Sequence, residues 1–181
     1  MVRILLLCSL AFLSTPLLMM GQVREVDLKE MIASSGMIFS GVVTEVEGTQ
    51  DENGDIVTYT TFRVEVPIRG VTPGSFKIKQ LGGVTDKGTV VLAHMRYFTE
   101  GERLLVMLYP AGKLGFTSPI GMGQGAWSVS DDGYLLGISP QLLASLGSLA
   151  KQHDVTPDSQ GRVLLTNMTA LIQAVTQGGN K

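Results

Sequence analysis

Cysteine is almost missing from this chain: Cys8 is the only one in 181 residues. No internal disulfide can form, and zinc sites built from several thiolates and iron–sulfur clusters are excluded. Histidine is nearly as scarce. His94 and His153 lie in different segments, and neither has a second histidine or cysteine at metal-ligand spacing. That removes zinc chemistry built mainly on imidazole. His94-Met95 is a single pair of soft ligands, too little to define a copper site. A serine hydrolase would have to use one of these two imidazoles, and no Gly-x-Ser-x-Gly elbow occurs. Charge is also sparse, at 17% of residues, with 14 Lys+Arg against 16 Asp+Glu and a net charge of −2. Bulk electrostatic binding to nucleic acid or to anionic membranes is therefore not expected.

Apolar residues are not scarce. They make up 44% of the chain, which excludes a long disordered tail. A chain of this length fits one globular domain that buries roughly 70% of the surface its unfolded form exposes. The apolar residues begin early. Arg3 is the only charge before Arg24, and Ile4 to Met20 is almost wholly apolar. A basic start and a short apolar run predict a secretory signal peptide over residues 1–21. The small-residue cleavage pattern is incomplete, because Met19 stands two positions before Gly21. An uncleaved anchor is the alternative, at the short edge of the ~17–25 residues a span needs and interrupted by Pro16. Leu5-Leu6-Leu7 before Cys8 lacks the small residue of a lipoprotein site. Cleavage after Gly21 leaves 160 residues, no thiol and no membrane span, so the exported chain would rest on its core alone.

Residues 24–35 predict a short helix with Val26, Met31 and Ile32 on one face and Gly36 as its stop. From Ile38 the period changes to that of strands. Thr60, Phe62, Val64 and Val66 alternate against Tyr59, Thr61, Arg63 and Glu65, and Asn53-Gly54 predicts the preceding hairpin turn. The apolar set of the first strand changes face near Gly41, which predicts a bulge there. Pro67 and Gly70 to Gly74 are expected to break the pattern. Further strands are expected at residues 76–79, 103–109, 124–130 and 134–136, with Phe62 and Trp127 in the core. Leu142, Leu143, Leu146 and Leu149 predict one late helix; Met168, Leu171, Ile172 and Val175 predict another, capped by Thr166. The expectation is a mainly β protein: a small Greek-key barrel of the oligonucleotide-binding (OB) type over residues 22–138, and helices over 139–181 packed on it. A β-sandwich is the alternative.

Several patterns invite chemistry. Asp51, Asn53 and Asp55 match the first half of a calcium loop, but Ile56 and Phe62 stand where glycine and a bidentate glutamate belong. A solvated hairpin tip fits better. Gly121-Met122-Gly123-Gln124-Gly125-Ala126 matches the letters of a dinucleotide fingerprint, yet a strand rather than a helix is expected after it. A close backbone crossing beside Trp127 explains those glycines better. Glu45, Glu47 and Glu65 can approach across the hairpin as paired carboxylates, or stay as solvated charges. Arg69, Lys77, Lys79 and Arg96 can form a basic strip beside Tyr59, Tyr97 and Phe98, which the acidic total opposes. Asn167-Met168-Thr169 fits a glycosylation acceptor at a helix start.

A set of short stretches resembles a group of uncharacterised exported bacterial proteins that carry a small OB-like barrel. They are Ile38-Phe39-Ser40-Gly41-Val42-Val43, Thr58-Tyr59-Thr60-Thr61-Phe62-Arg63-Val64, Ile68-Arg69-Gly70, Leu81-Gly82-Gly83, the run from Phe98 to Leu108, and Gly123-Gln124-Gly125-Ala126-Trp127. Together they span roughly residues 25–137 in order. The resemblance implies export and a barrel, and it brings no catalytic residue. The likeness to the netrin-like barrels of secreted protease inhibitors is one of shape. The expected function is an exported, non-catalytic module that needs no cofactor and binds an extracytoplasmic protein or polymer. Tyr59, Arg63, Tyr97 and Trp127 are its candidate contacts. A secreted protease inhibitor and a carboxylate- or metal-dependent hydrolase are the alternatives.

Overall fold

The structure, a computed structural model, describes residues 24–178. The expected signal peptide lies outside the described residues. Among those residues no helix is long and apolar enough to cross a membrane.

The first helix, α1 (Leu28–Ser34), buries Leu28, Met31 and Ile32. It starts later than the apolar spacing suggested, and Gln124 is the reason. Its amide accepts the Val26 N–H at 2.9 Å and donates to the Arg24 carbonyl at 2.9 Å, holding residues 24–26 extended. Asp27 then serves as N-cap, its carboxylate accepting the Glu30 N–H at 2.9 Å.

Two long strands follow, β1 (Met37–Gln50) and β2 (Ile56–Arg69), paired antiparallel across the turn at residues 51–55. The alternation on β2 is realised: Thr60, Phe62 and Val64 are buried, and Arg63 and Glu65 are exposed. The register of β1 shifts at three places, one of them between Ser40 and Gly41, where a bulge was expected. A Cβ on Gly41 would lie 2.5 Å from the Arg63 carbonyl oxygen, so glycine permits this close crossing. Contrary to expectation, Pro67 does not end β2. It pairs with Phe39 beside a second register shift, where the ladder is already irregular and a missing N–H costs little.

The edge strand β3 (Gly74–Leu81) pairs with β2, and β4 (Gly83–Thr85) with β5 (Gly88–Val90) forms a separate ribbon. The chain returns as β6 (Arg103–Leu108), paired with β1, and then β7 (Ala126–Ser128), paired with β6. The sheet order is β3-β2-β1-β6-β7, antiparallel throughout.

The protein is mainly β as expected, but the strands do not close into a barrel. Residues 116–119 come nearest to closing it, with a parallel bridge from Phe116 to Lys79 of β3 and an antiparallel bridge from Pro119 to Leu108 of β6. That segment carries Gly112 and Gly115 before it and ends on a proline without an N–H, so it makes isolated bridges instead of a ladder. Among the described residues no second sheet stacks as in a sandwich; the remaining strands, β8 (Tyr134–Leu135) and β9 (Val163–Leu164), pair with each other, and Leu135 also bridges Val129 just after β7.

Each face of the sheet meets its own core. Inside the curl lie Phe39, Val43, Phe62, Val64, Ile78, Phe98, Leu104, Val106 and Leu108. On the other face Ile38, Leu105, Met107 and Trp127 pack against α1 and the C-terminal helices. Those comprise a 3₁₀ turn at Gln141–Leu146, α2 (Gly147–Gln152) and α3 (Leu165–Gly178). The single helix expected from Leu142 to Leu149 is thus broken at Gly147, where φ is +30°. Thr166 lies inside α3 instead of capping it.

Candidate functional site

Partners directly opposite in an antiparallel ladder share a face, so the pairing places three rows on the outer face of the long hairpin. Lys77, Thr61 and Glu45 form one row; Lys79, Tyr59 and Glu47 the next; Ser75, Arg63 and Val42 a third, which β6 extends with Arg103. The helices cover the end of this face near Ile38 and leave the rows uncovered. Tyr59 and Arg63, two of the four expected contact residues, therefore share one strip. The Lys77 ammonium lies 5.8 Å from the centre of the Tyr59 ring.

Two carboxylates on this face, Glu45 and Glu65, face cations instead of each other. Glu65 accepts from Arg103 at 2.8 Å and from Arg63 at 3.3 Å. Glu45 lies 3.8 Å from the Lys77 ammonium and accepts the Thr61 hydroxyl at 3.1 Å. Among the described residues no three of His, Cys, Asp and Glu gather as a metal would need.

Tyr97 and Trp127 stand elsewhere. The Tyr97 hydroxyl donates to the Leu81 carbonyl at 2.7 Å, bracing the segment after β3. Trp127 is 8% exposed and belongs to the core beneath the helices, as expected of it on packing grounds. Its exposed edge lines a shallow cavity of about 170 Å³ with Glu25, Gln124 and Ser139.

The supposed calcium half-loop is a turn held by one buried carboxylate. Asp51 Oδ1 accepts the N–H groups of Asn53 and Asp55 at 2.9 and 3.0 Å, and Oδ2 takes the Lys79 ammonium at 2.7 Å. Its side chain is only 1% exposed. The ammonium also sits 4.4 Å from the centre of the Phe116 ring. The Lys79 hydrogen bond, followed by the turn N–H groups, holds the Asp51 carboxyl below the usual carboxylate range and raises the Lys79 ammonium above its own. This triad was missed in the sequence because residues 51, 79 and 116 meet only once the sheet has curled.

The glycine-rich run is the expected crossing. A Cβ on Gly125 would lie 2.9 Å from the Met107 carbonyl oxygen, and β7 follows where a nucleotide site needs a helix. His94 lies in the loop after β5, and His153 ends α2. Asn167 of the acceptor pattern donates from its side chain to the Asp154 carbonyl at 3.2 Å. Compared with protein families, with curated proteins and with solved structures, the chain finds no match.

Proposed function

We propose that this chain is an exported, non-catalytic binding module, and that it contacts an extracytoplasmic protein or polymer through the uncovered outer face of β1, β2 and β3. The observation that carries this reading is the strip around Tyr59 and Arg63. An aromatic ring, arginines and fixed carboxylates lie side by side on paired strands that the helices leave open. The apolar leader at residues 1–21 supports export. Relation to the OB-like barrels is part of the same proposal. It is supported by the bulged, curled β1 and by the bridges of residues 116–119 to both β3 and β6, since such barrels are partly open. The hydrolase reading draws less support, because Glu45 and Glu65 are engaged with cations.

The test is capture from the native exported fraction with the full chain as bait, beside a Tyr59→Ala/Arg63→Ala variant and a Lys151→Ala variant on the distant α2. The expected result is one protein or polymer held by the native and Lys151→Ala baits and lost by the double variant. Equal retention by all three baits would overturn the assignment of this face.

A further inference from the structure

A groove of about 760 Å³ opens on the helical side, between α1, α3 and the 3₁₀ turn. Its size falls within the roughly 300–1,000 Å³ typical of small-molecule sites. Its lining divides into two kinds of surface. Ile32, Leu146, Leu149 and Val175 supply apolar walls, and Lys29 and Arg69 supply two positive charges, with no acidic side chain among the lining residues. Among the described residues neither cation has a carboxylate partner within 4.0 Å. Asp27, close to Lys29 in sequence, is occupied with the Glu30 N–H and the Ser145 hydroxyl.

Arg69 is positioned by the fold. Its Nη1 donates to the carbonyls of Ile32 and Ser35 at the end of α1, and its Nη2 donates to the Thr176 hydroxyl at 3.2 Å. Of its five N–H hydrogens these bonds use three, leaving the Nε hydrogen and one on Nη2 for an acceptor. A structural brace accounts for those bonds. It does not account for a second unpaired cation in the same groove, or for apolar walls beside the pair. Two cations next to an apolar trough are complementary to a molecule that is negative at one end and hydrocarbon along the rest.

We propose that this groove binds a single-chain amphiphile with an anionic head, a carboxylate or a phosphate, held by Lys29 and Arg69 with its alkyl chain along Ile32, Leu146, Leu149 and Val175. The site is separate from the strip on the sheet and does not depend on it. The test is calorimetric titration of the full chain with decanoate, decyl phosphate and neutral decanol, each below its aggregation concentration. One equivalent of decanoate or decyl phosphate binds, and the stronger of the two identifies the head group. Decanol binds at least about tenfold more weakly. Lys29→Gln weakens the anions about tenfold and leaves decanol unchanged. Ala174→Trp fills the groove and abolishes binding of all three.

Equal binding of decanol and the anions overturns the proposal, as does an anion affinity unmoved by Lys29→Gln. Failure of every ligand to saturate also overturns it. A mass that doubles with concentration while decanoate gives no heat would assign the groove to a second copy of the chain, and overturns it too. Lys29 is exposed on α1, so Lys29→Gln keeps the test decisive even if Ala174→Trp disturbs folding.

Discussion

The two cores differ in what builds them. Inside the curled sheet, beside Ile78, Leu104 and Leu108, four phenylalanines meet edge to face: Phe39 with Phe62 at 5.1 Å, Phe39 with Phe76 at 5.6 Å, and Phe62 with Phe98 at 5.2 Å. Under the helices the filling is aliphatic, with Trp127 its one large ring. The inner core draws mainly on adjacent strands, whereas the outer core gathers residues from Val26 to Ile172. β6 serves both along its length, with Leu104, Val106 and Leu108 facing in and Leu105 and Met107 facing out. Its unbroken apolar run is therefore the signature of a strand buried on both faces.

The strongest way to break this comparison is to remove one ring from each core. Phe62→Ala and Trp127→Ala are each expected to cost about 3–5 kcal/mol in denaturant unfolding. Phe62 touches two other rings, so a Phe39→Ala/Phe62→Ala cycle should couple by about 0.5–1.5 kcal/mol. A midpoint unmoved by either single replacement would show that the corresponding core is not where the packing puts it.

A finer test uses neighbours in sequence. Leu104→Ala and Leu105→Ala should each cost about 2–5 kcal/mol, yet their effects should separate in space. Loss of Leu105 should raise amide exchange in α1 and α3, and loss of Leu104 should raise it in β2 and β3. Identical exchange patterns would mean that the two cores open as one unit.

These cores also show what could be read from the residues alone. The alternation of Thr60, Phe62 and Val64 is local, so β2 was legible, and so was the bulge at Gly41 where the apolar set changes face. Closure was not legible, because it depends on how far residues 116–119 can pair with β3 and β6 after the sheet has curled. The broken late helix was hidden for another reason: the leucine spacing is helical, while the positive φ of Gly147 answers to packing. At the candidate site, Tyr59 and Arg63 share a face because a period of two demands it. Lys29 and Arg69 meet in one groove through tertiary packing that no spacing announces.

The caps and turns sharpen the comparison at lower energy. Asp27→Ala removes the N-cap of α1 and should cost about 1 kcal/mol. It loosens the outer core only, since α1 packs there. The Glu30 N–H, and then the Ser145 hydroxyl, hold the Asp27 carboxyl below its ordinary value. Asp51 is lowered likewise by Lys79 and its turn. For a depressed carboxyl the added stability is complete above the unfolded pKa of about 4, and it is lost as pH falls through the lower folded value. Thermal midpoints should therefore drop on acidification below about pH 4. Asp51→Asn should flatten that acid limb while leaving the helical side unchanged. An acid limb of the same slope in the variant would show that Asp51 is not among the groups that set it.

The smallest effect is expected on the outer strip, and its smallness is informative. Arg63 is exposed, and its contact with Glu65 is a surface ion pair that Arg103 duplicates at shorter range. Arg63→Ala should move stability by no more than about 0.5 kcal/mol, because no core contact and no cap is lost. A larger loss in denaturant unfolding would make the strip part of the scaffold. A null effect on stability, joined to loss of a captured partner, would separate the two tasks of β2. Its inward residues hold the sheet, and its outward residues are free to carry recognition.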